Sequence, residues 1–249
     1  MANGALDGKV AIVTGGSRGI GRAIAIGFAK EGARVLVAGR SSDPGGAPLT
    51  IEGTVREIED LGGEAIAVRC DVTDESDAHN IALQAYRKWG SVDVLVNNAG
   101  VLWPFGLLDT NSSKFTEIMR TNIDGVFFCS MAVVPYMMQQ GGGSIVNISS
   151  GRGHSEDPRS IAYAATKAAV SRLSIKFGAE MKPYNIAVNA IDPGATLTEK
   201  DTFPFMDRSG WKRTEEKNII PACIFLAQQR GDGFTAKEVD EAQFHVTWP

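Results

Sequence analysis

The chain is short of the residues that disulfide, metal and nucleic-acid chemistry require. Cysteine occurs three times in 249 residues, at Cys70, Cys129 and Cys223, widely separated. An odd, unclustered set builds neither a disulfide framework nor a zinc site, and it suits a reducing compartment. Histidine also occurs three times, at His79, His154 and His245, scattered along the chain, so no metal site is expected. Positive charge is not in excess. The formal net charge is −4, which leaves no basic field to hold a nucleic-acid backbone. No apolar run approaches the length that spans a bilayer. The opening "MANGALDGKV" lacks the basic start and apolar stretch of a signal peptide. These absences lead to the expectation of a cytoplasmic protein with no membrane or nucleic-acid partner.

What is present reads as one α/β domain over residues 1–249. Apolar residues make up 43% and charged residues 22%, ordinary values for a globular chain. Strand-length apolar runs alternate with helix-period segments. The strands are "VAIVTG" (10–15), "RVLVAG" (34–39), "EAIAVRCD" (64–71), "VDVLVNNA" (92–99), "GSIVNISS" (143–150) and "NIAVNAID" (185–192). Helices are expected at about 19–31, after Thr50, and at about 74–89, 112–138 and 160–181. Strands uniformly rich in Val, Ile and Ala, with helices between them, predict a doubly wound parallel sheet covered on both faces.

"TGGSRGIG" (14–21) runs from the first strand into the first helix. Gly15, Gly19 and Gly21 allow a tight turn and close backbone approach to a pyrophosphate, which then rests on the helix N-terminus. The strand before and the helix after meet the context this motif needs. Farther on, "IAYAATKAAV" (161–170) places Tyr163 and Lys167 one helical turn apart, on one face, among alanines. By itself such a pair is an ordinary accident of a helix surface.

The three-residue gap between Gly15 and Gly19 resembles the fingerprint of the short-chain dehydrogenase/reductase family, and further motifs follow in order at family spacing. They are "CDVTD" (70–74), "NNAG" (97–100), "RTNIDGVFF" with Asn122, "IVNISS" with Ser150, "YAATK" with Tyr163 and Lys167, and "DPGATLT" (192–198). The resemblance runs from Gly8 to about Val239. It implies strand order 3-2-1-4-5-6-7 and a nicotinamide cofactor. The implied cofactor contacts are Gly15, Ser17, Arg18, Gly19, Ile20, Gly21, Arg40, Asp71, Val72, Asn98, Ala99, Gly100, Tyr163, Lys167, Pro193, Gly194, Thr196 and Thr198.

It also implies the chemistry. Tyr163 is the general acid in ketone reduction and the general base in alcohol oxidation. A free phenol titrates near 10, and a neighbouring ammonium and an oxidised nicotinamide would lower that value. Lys167 supplies the ammonium and bonds the nicotinamide ribose. Ser150 bonds the substrate oxygen as charge develops there. Asn122 bends the long helix and holds a water that links Lys167 to solvent.

Cofactor choice has a physical argument. NAD enzymes place a carboxylate at the end of the second strand, against the ribose 2′-OH. Here that position is Gly39, followed by Arg40, and Arg18 lies in the glycine loop. Two guanidiniums suited to a 2′-phosphate indicate NADP(H). The expected protein is an NADPH-dependent carbonyl reductase acting on a small carbonyl or alcohol substrate, as a homodimer or homotetramer. An NAD-linked alcohol dehydrogenase and a nucleotide-binding regulatory protein on the same fold are the alternatives. A short substrate lid is expected at about 195–215, with Phe203, Phe205, Met206 and Trp211 able to close over substrate. Trp103, Phe105 and His154 are further candidates for the pocket wall. The chain departs from the family pattern near its end. Ala236 stands where a glycine is expected, and Glu238, Asp240 and Glu241 interrupt the apolar seventh strand.

Overall fold

The computed structural model describes residues 4–43, 45, 47–194, 196 and 215–249. Among them, seven parallel strands form one sheet in the order β3-β2-β1-β4-β5-β6-β7. The strands are β1 (Val10–Thr14), β2 (Arg34–Gly39), β3 (Glu64–Arg69), β4 (Val94–Asn97), β5 (Gly143–Ile148), β6 (Ile186–Asp192) and β7 (Lys237–Asp240). The helices are α1 (Gly19–Lys30), α2 (Ile51–Asp60), α3 (Glu75–Trp89), α4 (Ser112–Met119), α5 (Gly125–Gln139), α6 (Ile161–Met181) and α7 (Ile220–Ala227).

The strands are where the apolar runs place them because both of their faces are buried. β1, β4 and β5 are buried at every position. Alternate residues feed two cores. Ala11 and Val13 join α1, α2 and α7 on one side, and Val10 and Ile12 join α3 and α5 on the other. Helix ends follow local chemistry. The Asp74 side chain caps α3 by accepting from Ser76 N, and Gly90 ends that helix in the left-handed conformation. Asn111 caps α4 by accepting from Lys114 N at 2.8 Å.

Three expectations need correction. The strand expected at 92–99 is shorter, because Asn98 and Ala99 turn away to bond Thr14. The helix expected at 112–138 is interrupted by a π-helical turn, Arg120–Asp124, which carries Asn122. Such turns insert a residue and bend the helix locally, which agrees with the bend expected of Asn122. Finally, the acidic residues do not abolish the seventh strand. β7 pairs with β6 in register, Asn189 to Lys237 through Asp192 to Asp240. It tolerates charge because it is short and lies at the sheet edge, with Lys237 and Asp240 exposed. Ala236, just before it, adopts φ +58, the conformation for which glycine was expected.

Candidate active site

The site lies beyond the carboxyl ends of the strands, where the order reverses between β1 and β4, the usual ligand crevice of open α/β sheets. One cleft is lined by Gly15, Ser17, Arg18, Gly39, Arg40, Ser41, Cys70, Asp71, Val72, Ala99, Gly100 and Thr121. Most were expected from the sequence. Ser41, Cys70 and Thr121 were not named as contacts, although Cys70 and Thr121 lie inside motifs quoted above; only the fold shows that they face the crevice.

The glycine loop is held from behind by the segment that follows β4. Gly15 has φ +65, and a Cβ there would lie 2.9 Å from both Ala99 Cα and Asn98 Nδ2. Asn98 Nδ2 donates to Thr14 O at 2.9 Å and Gly15 O at 3.1 Å. Thr14 Oγ1 accepts from the backbone N–H groups of Asn98 and Ala99, both at 3.1 Å. Asn98 and Thr14 therefore shape the loop from behind, and Ile20 packs toward the core.

This cradle fits a dinucleotide. No side chain caps the N-terminus of α1, and Arg18 Nε is buried without a hydrogen-bond partner. A buried orphan donor is costly, and a phosphate oxygen would satisfy it. Arg40 is largely exposed, with Nη1 4.0 Å from Asp71 Oδ2. Asp71 is already engaged, since its Oδ1 accepts from Thr73 N at 3.1 Å and Thr73 Oγ1 at 2.9 Å.

The remaining candidates gather beside this cleft. Ser150 follows β5 and begins a 3-10 turn, Gly151–Gly153. Tyr163 and Lys167 lie in α6. Ser150 and Tyr163 are hydrogen-bonded through their side chains. Lys167 is buried, its Nζ donates to Ile148 O at 2.6 Å, and it lies 5.5 Å from the Tyr163 ring centroid. Tyr163 is part-accessible, yet its hydroxyl is deep enough that burial pushes the phenol up to about 12. The Ser150 hydrogen bond and the Arg152 charge pull the other way, and Asp192 reinforces the rise. Burial thus acts against the lowering expected from the Lys167 ammonium and an oxidised nicotinamide.

Asn122 engages its side chain in structure. Its Oδ1 accepts from Val101 N at 2.8 Å, and its Nδ2 donates to Val101 O at 3.1 Å and Thr166 Oγ1 at 3.0 Å. On the far side, Gly194 N and Thr196 Oγ1 bond Asp192 Oδ1 at 3.0 Å and Pro193 O at 2.7 Å. Thr198, Phe203, Phe205, Met206 and Trp211 lie outside the described residues, as does most of the expected lid. Trp103 and Phe105 pack with ring centroids 4.7 Å apart and planes tilted by 55°, and Trp103 Nε1 donates to Thr110 Oγ1 at 3.0 Å. A buried ladder missed from the sequence runs behind the site. Asn97 Nδ2 donates to Asn147 Oδ1 at 2.8 Å, and Asn147 Nδ2 donates to Ser174 Oγ at 2.8 Å. Burial holds the three cysteines as thiols rather than thiolates. Burial pushes the Cys70 thiol up to about 12 and raises Cys129 and Cys223 as well. Among the described residues no group of histidine, cysteine and acid side chains could hold a metal, and no helix is long and apolar enough to cross a membrane.

Comparison with known proteins agrees with this geometry. The family model for short chain dehydrogenases matches residues 9–205. The 7alpha-hydroxysteroid dehydrogenase of Escherichia coli is 40% identical over 194 residues, covering 78% of this chain and 73% of that protein. A 3-oxoacyl-acyl-carrier-protein reductase of Thermotoga maritima is 36% identical over 198 residues, covering 78% of each. The crystal structure of a short-chain type dehydrogenase/reductase from Mycobacterium marinum superposes with a TM-score of 0.85 at 31% identity, covering 94% of each chain. With the cradle, the serine and the tyrosine–lysine pair in place on this sheet, the chain belongs to the short-chain dehydrogenase/reductase family of nicotinamide-dependent oxidoreductases.

Proposed function

We propose that the protein is an NADP(H)-preferring carbonyl reductase, interconverting a ketone and a secondary alcohol. The observation that carries the cofactor choice is that Arg18 and Arg40 line one cleft, with Gly39 at the end of β2 where a carboxylate would otherwise stand. Guanidiniums there suit a 2′-phosphate, and the strand end offers no carboxylate to repel it. The names of the relatives, one acting on a hydroxysteroid and one on a 3-oxoacyl group, support a secondary alcohol or ketone as substrate.

NADPH would supply the hydride for the carbonyl carbon. Tyr163 donates its O–H proton to the carbonyl oxygen. Ser150 donates a hydrogen bond to that same oxygen as negative charge grows on it. The Lys167 ammonium favours the phenolate left behind and would face the cofactor ribose. Asn122 serves reprotonation, and since its side chain is committed to Val101 and Thr166, a relay water would hang from backbone freed by the π turn. Pro193, Gly194, Thr196 and Thr198 would border the nicotinamide. Phe115, Phe127, Met131 and Met138 on α4 and α5 are exposed and form the face through which the protein assembles as a homodimer or homotetramer. Its three unpaired, buried cysteines suit a cytoplasmic enzyme.

Steady-state kinetics on a panel of ketones tests the reading. The value of kcat/KM is higher with NADPH than with NADH, and Arg40→Asp reverses or erases the preference. Equal or better efficiency with NADH in the unaltered protein would exclude it.

A further inference from the structure

The acidic seventh strand departs from the pattern expected of the family, and Glu238 on that strand faces the catalytic elements. A single oxygen, Glu238 Oε1, meets His154 Nε2 at 2.8 Å and also accepts from Ser171 Oγ. His154 closes the short turn that starts at Ser150, where Gly153 N donates to Ser150 O at 2.9 Å and His154 N to Gly151 O at 3.0 Å. Ser171 lies in α6, one turn beyond Lys167, with its Oγ 3.0 Å from Lys167 O and its single proton directed to Glu238. It also meets Ser149 Oγ at 2.7 Å, next to the proposed catalytic serine. The turn itself rests on α6, because a Cβ on Gly153 would lie 2.7 Å from Ala168 N.

One carboxylate oxygen therefore reaches three parts of the site: the end of β5 through Ser149, the tyrosine–lysine helix through Ser171, and the serine turn through His154. We infer that Glu238 is a positioning residue, which fastens the turn behind Ser150 to α6 so that the Ser150 hydroxyl stays aligned with Tyr163. This inference rests on the proposed roles of Ser150 and Tyr163. An edge strand needs no charged side chain aimed inward for its own pairing, since its backbone bonds to β6 suffice. Glu238 keeps only 24% of its side chain exposed, so the carboxylate is engaged rather than solvated.

Hydrogen exchange of the full chain reads this tether directly. In Glu238→Ala the amides of Gly153 and His154 exchange faster than in the wild type, whereas those of β1 are unchanged. With a ketone that the wild type reduces, kcat falls on the order of 10- to 100-fold, as expected for misalignment of about 1 Å. Cofactor affinity is retained, because the cradle is elsewhere. Glu238→Gln keeps an acceptor oxygen and recovers most of both. Should Glu238→Ala fail to fold, His154→Ala cuts the same link from its exposed end and carries the same two readouts. Unchanged exchange at Gly153 and His154 in either folded variant overturns the inference. A lowered melting temperature with kcat intact overturns it too, since that is the mark of a purely structural contact. If the wild type reduces no carbonyl compound, the proposed function fails separately, and the exchange result still decides the tether.

Discussion

β1 and β7 are parallel strands of one sheet, yet they are built on opposite terms. β1 reads Val-Ala-Ile-Val-Thr and is buried at every position between two strands and two helical layers. β7 reads Lys-Glu-Val-Asp, lies at the edge and is buried at none. The first is held by the hydrophobic effect acting on both faces. The second is held by backbone pairing on one side and by specific polar contacts, including Lys237 N to Asn189 Oδ1 at 3.1 Å. The difference divides the site as well. The cofactor cradle grows from the buried, regular strands, whereas the serine turn is fastened to the polar edge. A buried apolar strand gives rigidity without directionality, and a polar edge gives direction at single residues.

The chemistry at the junction should show the largest effect. Tyr163→Phe removes one oxygen and leaves the ring to pack, so folding and nicotinamide-cofactor binding survive. Turnover falls by about 10²–10⁴-fold, the usual contribution of general acid–base catalysis. Lys167→Met lowers both turnover and cofactor affinity. Wild-type turnover in a folded Tyr163→Phe protein would separate the tyrosine from the reaction altogether.

Core truncation compares the two strands directly. Ile12→Ala, at a fully buried β1 position, costs about 2–5 kcal/mol in urea unfolding. Val239→Ala, on half-buried β7, costs about 1 kcal/mol by the area it removes from water. Similar costs at the two positions would mean that the edge strand belongs to the cooperative core after all.

The entry to β7 contains a strained residue that can be relieved. Ala236 holds φ +58, where an L side chain is disfavoured by about 1–2 kcal/mol. Glycine removes that strain and loses part of the gain to chain entropy. Ala236→Gly therefore raises stability by about 1 kcal/mol, seen as a higher melting temperature.

The smallest effect concerns pH. Burial raises the Asp192 carboxyl above its ordinary value, with Asp240 and Glu238 adding to the rise and the Gly194 and Gly151 N–H bonds opposing it. A raised folded-state value means that protonation favours the folded form. The contribution is full below the unfolded value near 3.8 and is lost as pH rises through the folded value. Relative to Asp192→Asn, the wild type therefore gains melting temperature as the solution is acidified toward pH 4. A constant difference across that range would show that Asp192 does not titrate abnormally.

Much of the molecule was legible in advance because its signals are local. A valine-rich run of strand length such as "RVLVAG", with glycine at its end, reads as a buried strand, and it appears as β2 with the same limits, Arg34–Gly39. The glycine loop could be located from its place between a strand and a helix, whereas Ser150 and the Tyr163–Lys167 pair stood out only through the family resemblance. The sheet order came from resemblance, and the structure has it. What the sequence could not decide depends on residues distant along the chain. Ser41, Cys70 and Thr121 reach one cleft with Gly15 only because β2, β3 and α5 converge at a crevice. How deeply the Tyr163 hydroxyl is enclosed, and so the upward push of burial on the phenol, is a property of packing that no spacing encodes. Glu238 looked like a defect in an apolar strand. The fold brings it to His154 and Ser171, residues 84 and 67 positions away, because hydrogen bonds are satisfied in space and not along the chain.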